Sequence, residues 1–378
     1  MGANASGKSN LVAALRFLKM ALLQNVEVAV AEFGGAGEIR NKIQRERKEA
    51  KPLRIQIRIN QALSRRIQLA PRIRISEFAY TVEIDLRSSN EVPAIEREIL
   101  KGKIQDSEGK PLGQEYLLER TKDGITITDP TETSPRGKKT PIPPQDATRL
   151  AASTPFFSLP LVIFRNLVEG WSFFNVNPDI ARLPCKEIPE LNLGESGEYL
   201  AAILHRLEKH AGGKGALADI IEGLRGVVPG FKGLRTKRLE VDGRLTFQVL
   251  EDRMRGAINP RSVSDGTIRL LALMVIAHWS ASRSTLLSVE EPENGLHPHL
   301  SKNIVELMRE ASESRQVFVT THNANFLDHL LPDEIMLFDK VDGFTKIVRA
   351  TDVPQVEVFR KRFRLGELWE QGTLGGIP

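Results

Sequence analysis

The sequence predicts an α/β fold with a buried parallel core, and three observations carry that prediction. A glycine-containing stretch, Gly2-Ala3-Asn4-Ala5-Ser6-Gly7-Lys8-Ser9, fits G-x-x-x-x-G-K-[ST] and runs into a segment with Leu11, Leu15, Leu18 and Leu22 at helical spacing. Far downstream, Ser284 to Val289 is a short apolar run with the character of a strand covered on both faces, and it ends in Glu290-Glu291-Pro292-Glu293. A second such run, Gln316 to Thr320, ends in Thr321-His322. Polar residues at strand C-termini stand where α/β sheets bind ligands.

Size and composition bound the rest. At 378 residues the chain exceeds the length at which a single core stops growing, so at least two packed lobes are expected. Hydrophobic residues at 41% and charged residues at 27% exclude a largely disordered, collagen-like or fibrous chain. The longest apolar run, around Leu270 to Ile276, falls well short of the roughly 20 residues that cross a bilayer, so no membrane partner is expected. Cys185 is the only cysteine and no secretory leader opens the chain, which makes the cytoplasm the expected compartment. The net charge of +5 is compatible with a polyanionic partner and equally with a solvated surface.

The opening stretch carries phosphate chemistry. Glycines let backbone N–H groups curl around a phosphate more closely than a Cβ would allow. Gly2, Asn4, Ser6, Gly7, Lys8, Ser9 and Asn10 are therefore the candidate nucleotide-binding residues. Lys8 is expected to reach the β and γ phosphates, Ser9 to hold Mg²⁺ through its hydroxyl, and the helix starting near Lys8 to aim its positive dipole end at the anion. A P-loop joins a strand to a helix, yet this one begins at residue 2. The expectation is that the first strand is missing through an internally called start, and that a version extended upstream binds ATP markedly better.

At the other end, Glu290 is expected to act on the Mg²⁺ shell and Glu291 to polarise the attacking water as general base. Glu290 stands where Asp is more usual. His322, at the tip of the next strand, is positioned to hydrogen-bond a γ phosphate and sense its loss. His297 and His299 flank Pro298 with no third convergent ligand in sequence, and they read as loop structure. Before the acidic strand, Ser262 to Arg269 precedes an apolar helix running to Trp279, so Ser264 is a helix cap. The same geometry binds anions, which makes Ser264 and the Gly266 amide candidate γ-phosphate contacts.

With these residues in hand, the chain resembles ABC-type ATPases of the SMC, RecF and OLD branch, above all the bacterial stand-alone AAA-type ATPases within it. GANASGKSN, SVSDGTIRLLAL, LLSVEEPENGLHP and VFVTTHNANFLD stand for the P-loop, the signature, the Walker B with D-loop, and the switch histidine. The segment from Leu365 through Pro378 is similar to the ends of those ATPases. The resemblance implies a mixed parallel core sheet, an antiparallel β subdomain and a helical signature lobe. It implies a head-to-tail homodimer holding two ATP, each between one chain's P-loop and the other's Ser264. Glu291 is then the base, Asn294 to His297 the dimer-contacting D-loop, and His322 the switch. Asp265 departs from the Gly of many transporters, and the Mg²⁺-bridging glutamine has only Gln44 and Gln56 as candidates.

Between the ends, Leu53, Ile55, Ile57 and Ile59 alternate with Arg54, Gln56, Arg58 and Asn60, a half-buried strand with a basic outer face. Further strands are expected near Phe78 to Leu86, Ala94 to Lys103 and Gly124 to Thr128, forming an antiparallel sheet. Asp129 to Pro144, with Arg136, Lys138 and Lys139, reads as a loop. From Leu191 the period turns helical, with Leu200, Ile203, Leu204 and Leu207 on one stripe. Asp242-Gly243 marks a hairpin joining Leu239-Glu240-Val241 to Leu245-Thr246-Phe247. Short strands at Ile335 to Phe338 and Lys346 to Arg349 and a helix around Val356 to Phe363 complete the chain. The expected parts are an N-terminal lobe over 1–190, a signature lobe over 191–280 and the remaining ATPase core over 281–378. No heptad run long enough for a coiled-coil arm occurs.

Three functions follow as expectations. The first is an ATP-hydrolysing dimer gating a separately encoded effector, with a nuclease in phage defence as the effector the resemblance favours. The second is a DNA-repair ATPase that clamps DNA through Arg54, Arg58 and their neighbours. The third is a nucleotide-binding scaffold without turnover.

Overall fold

The computed structural model describes residues 1, 6–39, 52–60, 73–86, 92–106, 110–130, 138–140, 148–153, 158–187, 192–279 and 284–374. The chain divides into two compact units, a sheet unit of Asn10–Trp171 and a composite unit of Met1–Ser9 with Ser172–Pro378.

Helix α1 (Lys8–Leu23) starts at the glycine-containing stretch and is followed by α2 (Val26–Glu32) and α3 (Ala36–Ile39). The buried stripe of α1 is Val12, Phe17, Leu18, Ala21 and Leu22. Leu18 and Leu22 match the expected face, while Leu11 and Leu15 sit at its half-exposed margin. Asn25 caps α2, accepting the Val28 amide at 2.8 Å.

Strands β1 (Leu53–Asn60), β2 (Ile73–Asp85), β3 (Ala94–Asp106), β4 (Pro111–Thr121), β5 (Gly124–Thr128) and β6 (Lys138–Thr140) lie side by side in chain order. Each neighbouring pair in this sheet is antiparallel. The predicted alternation of β1 holds along its whole length, half-buried Leu53 through Ile59 against exposed Arg54 through Asn60. Two elements differ from the sequence expectation. Strand β4 was not foreseen, because its inward residues Tyr116, Leu118 and Arg120 are diluted by Pro111, Gly113 and charged neighbours. Within the stretch expected to be a loop, Lys138–Thr140 forms β6, paired with Ile125 to Ile127. An edge strand takes its pairing from its neighbour more than from its own propensity. Arg136 in that stretch lies outside the described residues.

The inner face of the sheet buries Phe78, Tyr80, Val82, Leu100, Tyr116 and Leu118. Phe164 of α4 (Leu159–Glu169) packs its ring 5.5 Å from that of Phe78 and 5.0 Å from that of Tyr80. Glu98, wholly buried on this face, accepts the Tyr80 hydroxyl at 2.9 Å and the amides of Ala151 and Ala152 at 2.6 and 2.9 Å. Burial pushes its carboxyl up, and those donors with the nearby Arg120 pull it back.

The second segment of the composite unit opens inside β7 (Trp171–Phe174), followed by α5 (Pro178–Ala181), α6 (Leu200–Lys209) and α7 (Lys214–Val227). Next come the β8 (Phe231–Arg238) and β9 (Leu245–Glu251) hairpin, α8 (Asp265–Trp279), β10 (Leu286–Glu290), α9 (Ser301–Ser312), β11 (Gln316–Thr320) and α10 (Ala324–Leu327). The β12 (Met336–Val341) and β13 (Phe344–Arg349) hairpin, α11 (Pro354–Phe359) and α12 (Leu365–Glu370) follow. The expected stripe of α6 is buried at Leu200, Ile203, Leu204 and Leu207. The hairpin at Asp242-Gly243 is present, but its first strand ends at Arg238 and Leu239 to Val241 belong to the turn. The helix expected over Val356 to Phe363 stops at Phe359. Residues 360–363 turn, and Glu367 accepts the Arg364 amide at 2.8 Å to start α12 afresh.

Helix α8 is the centre of the main core. From Leu270 to Ala277 every side chain is buried, so the helix is apolar all round. Around it gather Leu287 and Val289 of β10, Ile304 and Val305 of α9, and Leu204 and Leu207 of α6. At about 1.5–3 kcal/mol per fully buried large aliphatic side chain, this cluster outweighs the surface ion pairs, which contribute about 1 kcal/mol or less each. Strand order β11-β10-β7 puts β10 in the middle of its sheet, which is why its run reads as continuously apolar.

Candidate active site

The glycine-containing turn is held from two sides. Met1 pairs main chain to main chain with β12, its amine donating to Met336 O and its carbonyl accepting the Phe338 amide, both at 2.7 Å. Thr345 Oγ1 on β13 donates to Ser6 O at 3.0 Å. Gly7 has φ of +102°, a region open to glycine, and a Cβ on it would overlap Thr345 Oγ1. The next residue, Lys8, opens α1 and is 8% exposed. Burial holds its amine below the usual lysine range, and the Glu291 carboxylate partly offsets that. Ser9 and Asn10 are exposed on the first turn of α1. Gly2 and Asn4 lie outside the described residues.

The acidic edge is built by strand register. Parallel pairing sets Glu290 opposite Thr320, so both strands finish at one level. The Glu291 amide then donates to Thr320 O at 2.8 Å, and Glu291 takes φ of +44°, which a side chain rarely adopts. That turn aims its carboxylate along the strand ends. Glu291 Oε2 accepts Asn294 Nδ2 at 2.8 Å, and Oε1 lies 2.9 Å from His322 Nδ1. Lys8, Glu291 and His322, residues 8, 291 and 322 of the chain, thus share one electrostatic neighbourhood. Glu290 is half-buried at the end of β10.

Two contributors escaped the sequence reading. Glu293 is 5% exposed, accepts the Thr321 hydroxyl through Oε1, and leaves Oε2 without a hydrogen bond among the described residues. Burial raises its carboxyl above the usual range, and the Glu291 charge adds to this. Thr345 is the other, since nothing near it in sequence marks it as a partner of the glycine-containing turn. The polar pair Thr320-Thr321 and the third acid after Pro292 were the only signals on offer for Glu293.

Ser264 caps α8, accepting the Thr267 amide at 3.2 Å, with the Thr267 hydroxyl 2.9 Å from its own. Both Ser264 and Asp265 are exposed, and Asp265 pairs with Arg182. Gly266 packs on the Gly295-Leu296 turn, where an added Cβ would lie 3.3 Å from Leu296. Arg269, one turn into α8, is half-buried, and the charges of Asp265, Glu293 and Glu291 oppose the lowering of its pKa. His297 and His299 face each other with ring centroids 4.5 Å apart and Nδ1 atoms 2.6 Å apart. Among the described residues no group of three or more His, Cys, Asp or Glu is placed to hold a metal ion. Gln56 lies on the exposed face of β1, and Gln44 is outside the described residues.

These residues fit a bound triphosphate. The left-handed Gly7, the buried ammonium of Lys8 and the helix start behind it form a cradle for an anion. Ser6 Oγ is buried with no partner among the described residues, a polar atom that a ligand could satisfy. No helix among the described residues is long and apolar enough to cross a membrane.

Comparison with known proteins gives a family and distant structural likenesses. The family profile described as "AAA domain, putative AbiEii toxin, Type IV TA system" matches residues 1–328. Among solved structures, the chain is similar to the Smc head domain of Pyrococcus furiosus with an extended coiled coil, bound to the C-terminal domain of ScpA. That likeness has 13% identity and a TM-score of 0.44, covering 96% of this chain and 92% of the other. An SmcHead bound to the C-winged helix domain of ScpA is 16% identical, with a TM-score of 0.43 and coverage of 92% and 87%. The SMC head domain from Thermotoga maritima is 14% identical, with a TM-score of 0.36 and coverage of 92% and 88%. No curated protein matches the chain. The family match spans the glycine-containing turn, the acidic edge and His322, and the chain belongs to this AAA-domain family, with the α/β fold of an ABC-type P-loop ATPase.

Proposed function

We propose that the protein binds and hydrolyses ATP, closes as a head-to-tail homodimer around it, and gates a separately encoded effector, with a nuclease in phage defence as the leading candidate. The observation that supports this most is the meeting of Lys8, Glu291 and His322 from distant parts of the chain. Magnesium ATP would supply the phosphoryl group and the negative charge that these residues are placed to meet. Lys8 would neutralise the β and γ phosphates, with the glycine-containing turn and Asn10 around them, while Ser9 and Glu290 would hold the ion. Glu291 would accept the proton of the attacking water. Asn294 fixes one of its oxygens and His322 touches the other, so the base is oriented before substrate arrives. His322 would register loss of the γ phosphate and, being bonded to the base, relay it.

Ser264 and Gly266 would act across the dimer, completing the partner's phosphate site, with Asn294 to His297 at the contact. The parts 1–190, 191–280 and 281–378 would then serve as P-loop lobe, signature lobe and Walker B core. The test is Glu291→Gln: with ATP and Mg²⁺ it should elute as a stable dimer, and persistent monomer would count against the sandwich. A hydrolysis rate left unchanged by Glu291→Gln would favour the scaffold reading instead.

Direct clamping of duplex DNA by Arg54 and Arg58 draws less support. The exposed face of the sheet carries acids beside its cations, with Arg54 at 3.5 Å from Glu83, Arg97 at 2.8 Å from Glu119, and Lys103 at 3.2 Å from Glu77. Paired cations release fewer counterions on meeting a phosphate backbone.

A further inference from the structure

The last turn of α11 and the turn that leads to α12 have no part in the site and carry an unusual surface. Residues 357–364, Glu357-Val358-Phe359-Arg360-Lys361-Arg362-Phe363-Arg364, are all exposed. Val358 is 65% exposed and Phe359 and Phe363 39% each, a cost in water that a stand-alone surface has no reason to keep. The two rings meet edge to face, centroids 6.5 Å apart, and do not stack on one another. Arg360, Lys361 and Arg362 have no acidic partner among the described residues, and Arg364 reaches only Asp328, at 3.8 Å. Glu357 is the sole acid in the stretch.

Cations without acidic partners interleaved with exposed aromatic rings match the chemistry of a nucleic-acid strand whose bases are unstacked, since phosphates take the charges and bases take the rings. A duplex keeps its base faces covered and would leave Phe359 and Phe363 unused. An acidic polypeptide would use the charges and leave the rings unused.

The patch is also tied to the switch. Asn323, next to His322, caps α10 by accepting the Asn325 amide at 2.9 Å. The Gly366 amide on α12 donates to Asp328 Oδ1 at 2.8 Å, and a Cβ on Gly366 would overlap Ala324 O. Only Leu365 separates Gly366 from the last residue of the patch.

We propose that residues 358–364 bind single-stranded nucleic acid, with phosphates on Arg360, Lys361, Arg362 and Arg364 and bases on Phe359 and Phe363. Strand binding is felt at His322 through the α12–α10 contact, a consequence that rests on the ATPase reading whereas the binding itself does not.

The test is fluorescence anisotropy with a labelled 20-nucleotide single strand and the full chain, without nucleotide. Four phosphate contacts predict that affinity falls roughly fiftyfold between 50 and 200 mM salt. The double variant Arg360→Glu with Arg362→Glu should abolish binding, and Phe359→Ala should weaken it about tenfold. Circular dichroism should show both variants folded. Affinity unchanged by both variants overturns the proposal, as does capture of poly-glutamate or anionic vesicles in place of the strand. The strand should also change the wild-type hydrolysis rate and leave that of the double variant at its basal value. Absence of any hydrolysis would count against the ATPase reading and leave the binding result standing.

Discussion

Glu293 is a carboxyl in a place that disfavours its charge, buried with one oxygen on Thr321 and the other without a hydrogen bond among the described residues. Its folded pKa lies above the ordinary carboxylate value. A raised acid contributes stability that is full below the unfolded pKa and is lost as pH rises through the folded one. Glu293→Gln keeps the shape without the charge. It should therefore melt close to wild type near pH 4 and increasingly above it towards pH 8, followed by thermal melts; a difference constant with pH would contradict this. Lys8 is the other decisive residue. Because Lys8 is a buried cation beside Glu291, saturating ATP should raise the Tm of the wild type by several degrees and leave that of Lys8→Ala unchanged in thermal melts.

Among the elements, the β12–β13 hairpin has a task its sequence does not announce. It holds Met1 along one strand and Ser6 through Thr345 on the other, and so fixes the turn ahead of Lys8. Thr345→Val removes the bond and keeps the volume, and should weaken nucleotide binding several-fold in a calorimetric titration. Gly7→Ala meets both the Thr345 hydroxyl and a φ of +102°. Adding Thr345→Gly clears the overlap but not the backbone strain, so nucleotide affinity should recover only in part. In the sheet unit, Glu98 ties β3 to Tyr80 and to the Ala151-Ala152 amides. Glu98→Ala strands those donors and should destabilise by about 3 kcal/mol, read from denaturant melts.

Across the whole chain, the pieces of the candidate site come from residues 6–9, 290–294, 320–322 and 345, more than 300 positions apart at the extremes. They meet because β10 and β11 pair in parallel and finish level, and because the composite unit takes in the first nine residues. In the proposed second half of the site, Ser264 is exposed and Gly266 is half-buried against Gly295-Leu296. Sedimentation of Glu291→Gln combined with Ser264→Arg should therefore show monomer under conditions where Glu291→Gln alone is dimeric. Dimer in both would remove Ser264 from the contact.

The sequence by itself determined the local grammar. G-x-x-x-x-G-K-S before a leucine stripe, apolar runs ending in Glu290-Glu291 and Thr321-His322, and the alternation of β1 each need only a neighbour or two to be legible. The α/β class and the candidate residues came from them. Tertiary structure alone decided what depends on distant partners. The positive φ of Glu291 arises where the turn after β10 meets Thr320 O, and β6 exists because β5 offers an edge. Thr345 matters because a hairpin some 340 residues away rests on Ser6. Periodicity reports which face of an element avoids water, whereas it carries no information about which other segment will cover that face or donate to its carbonyls.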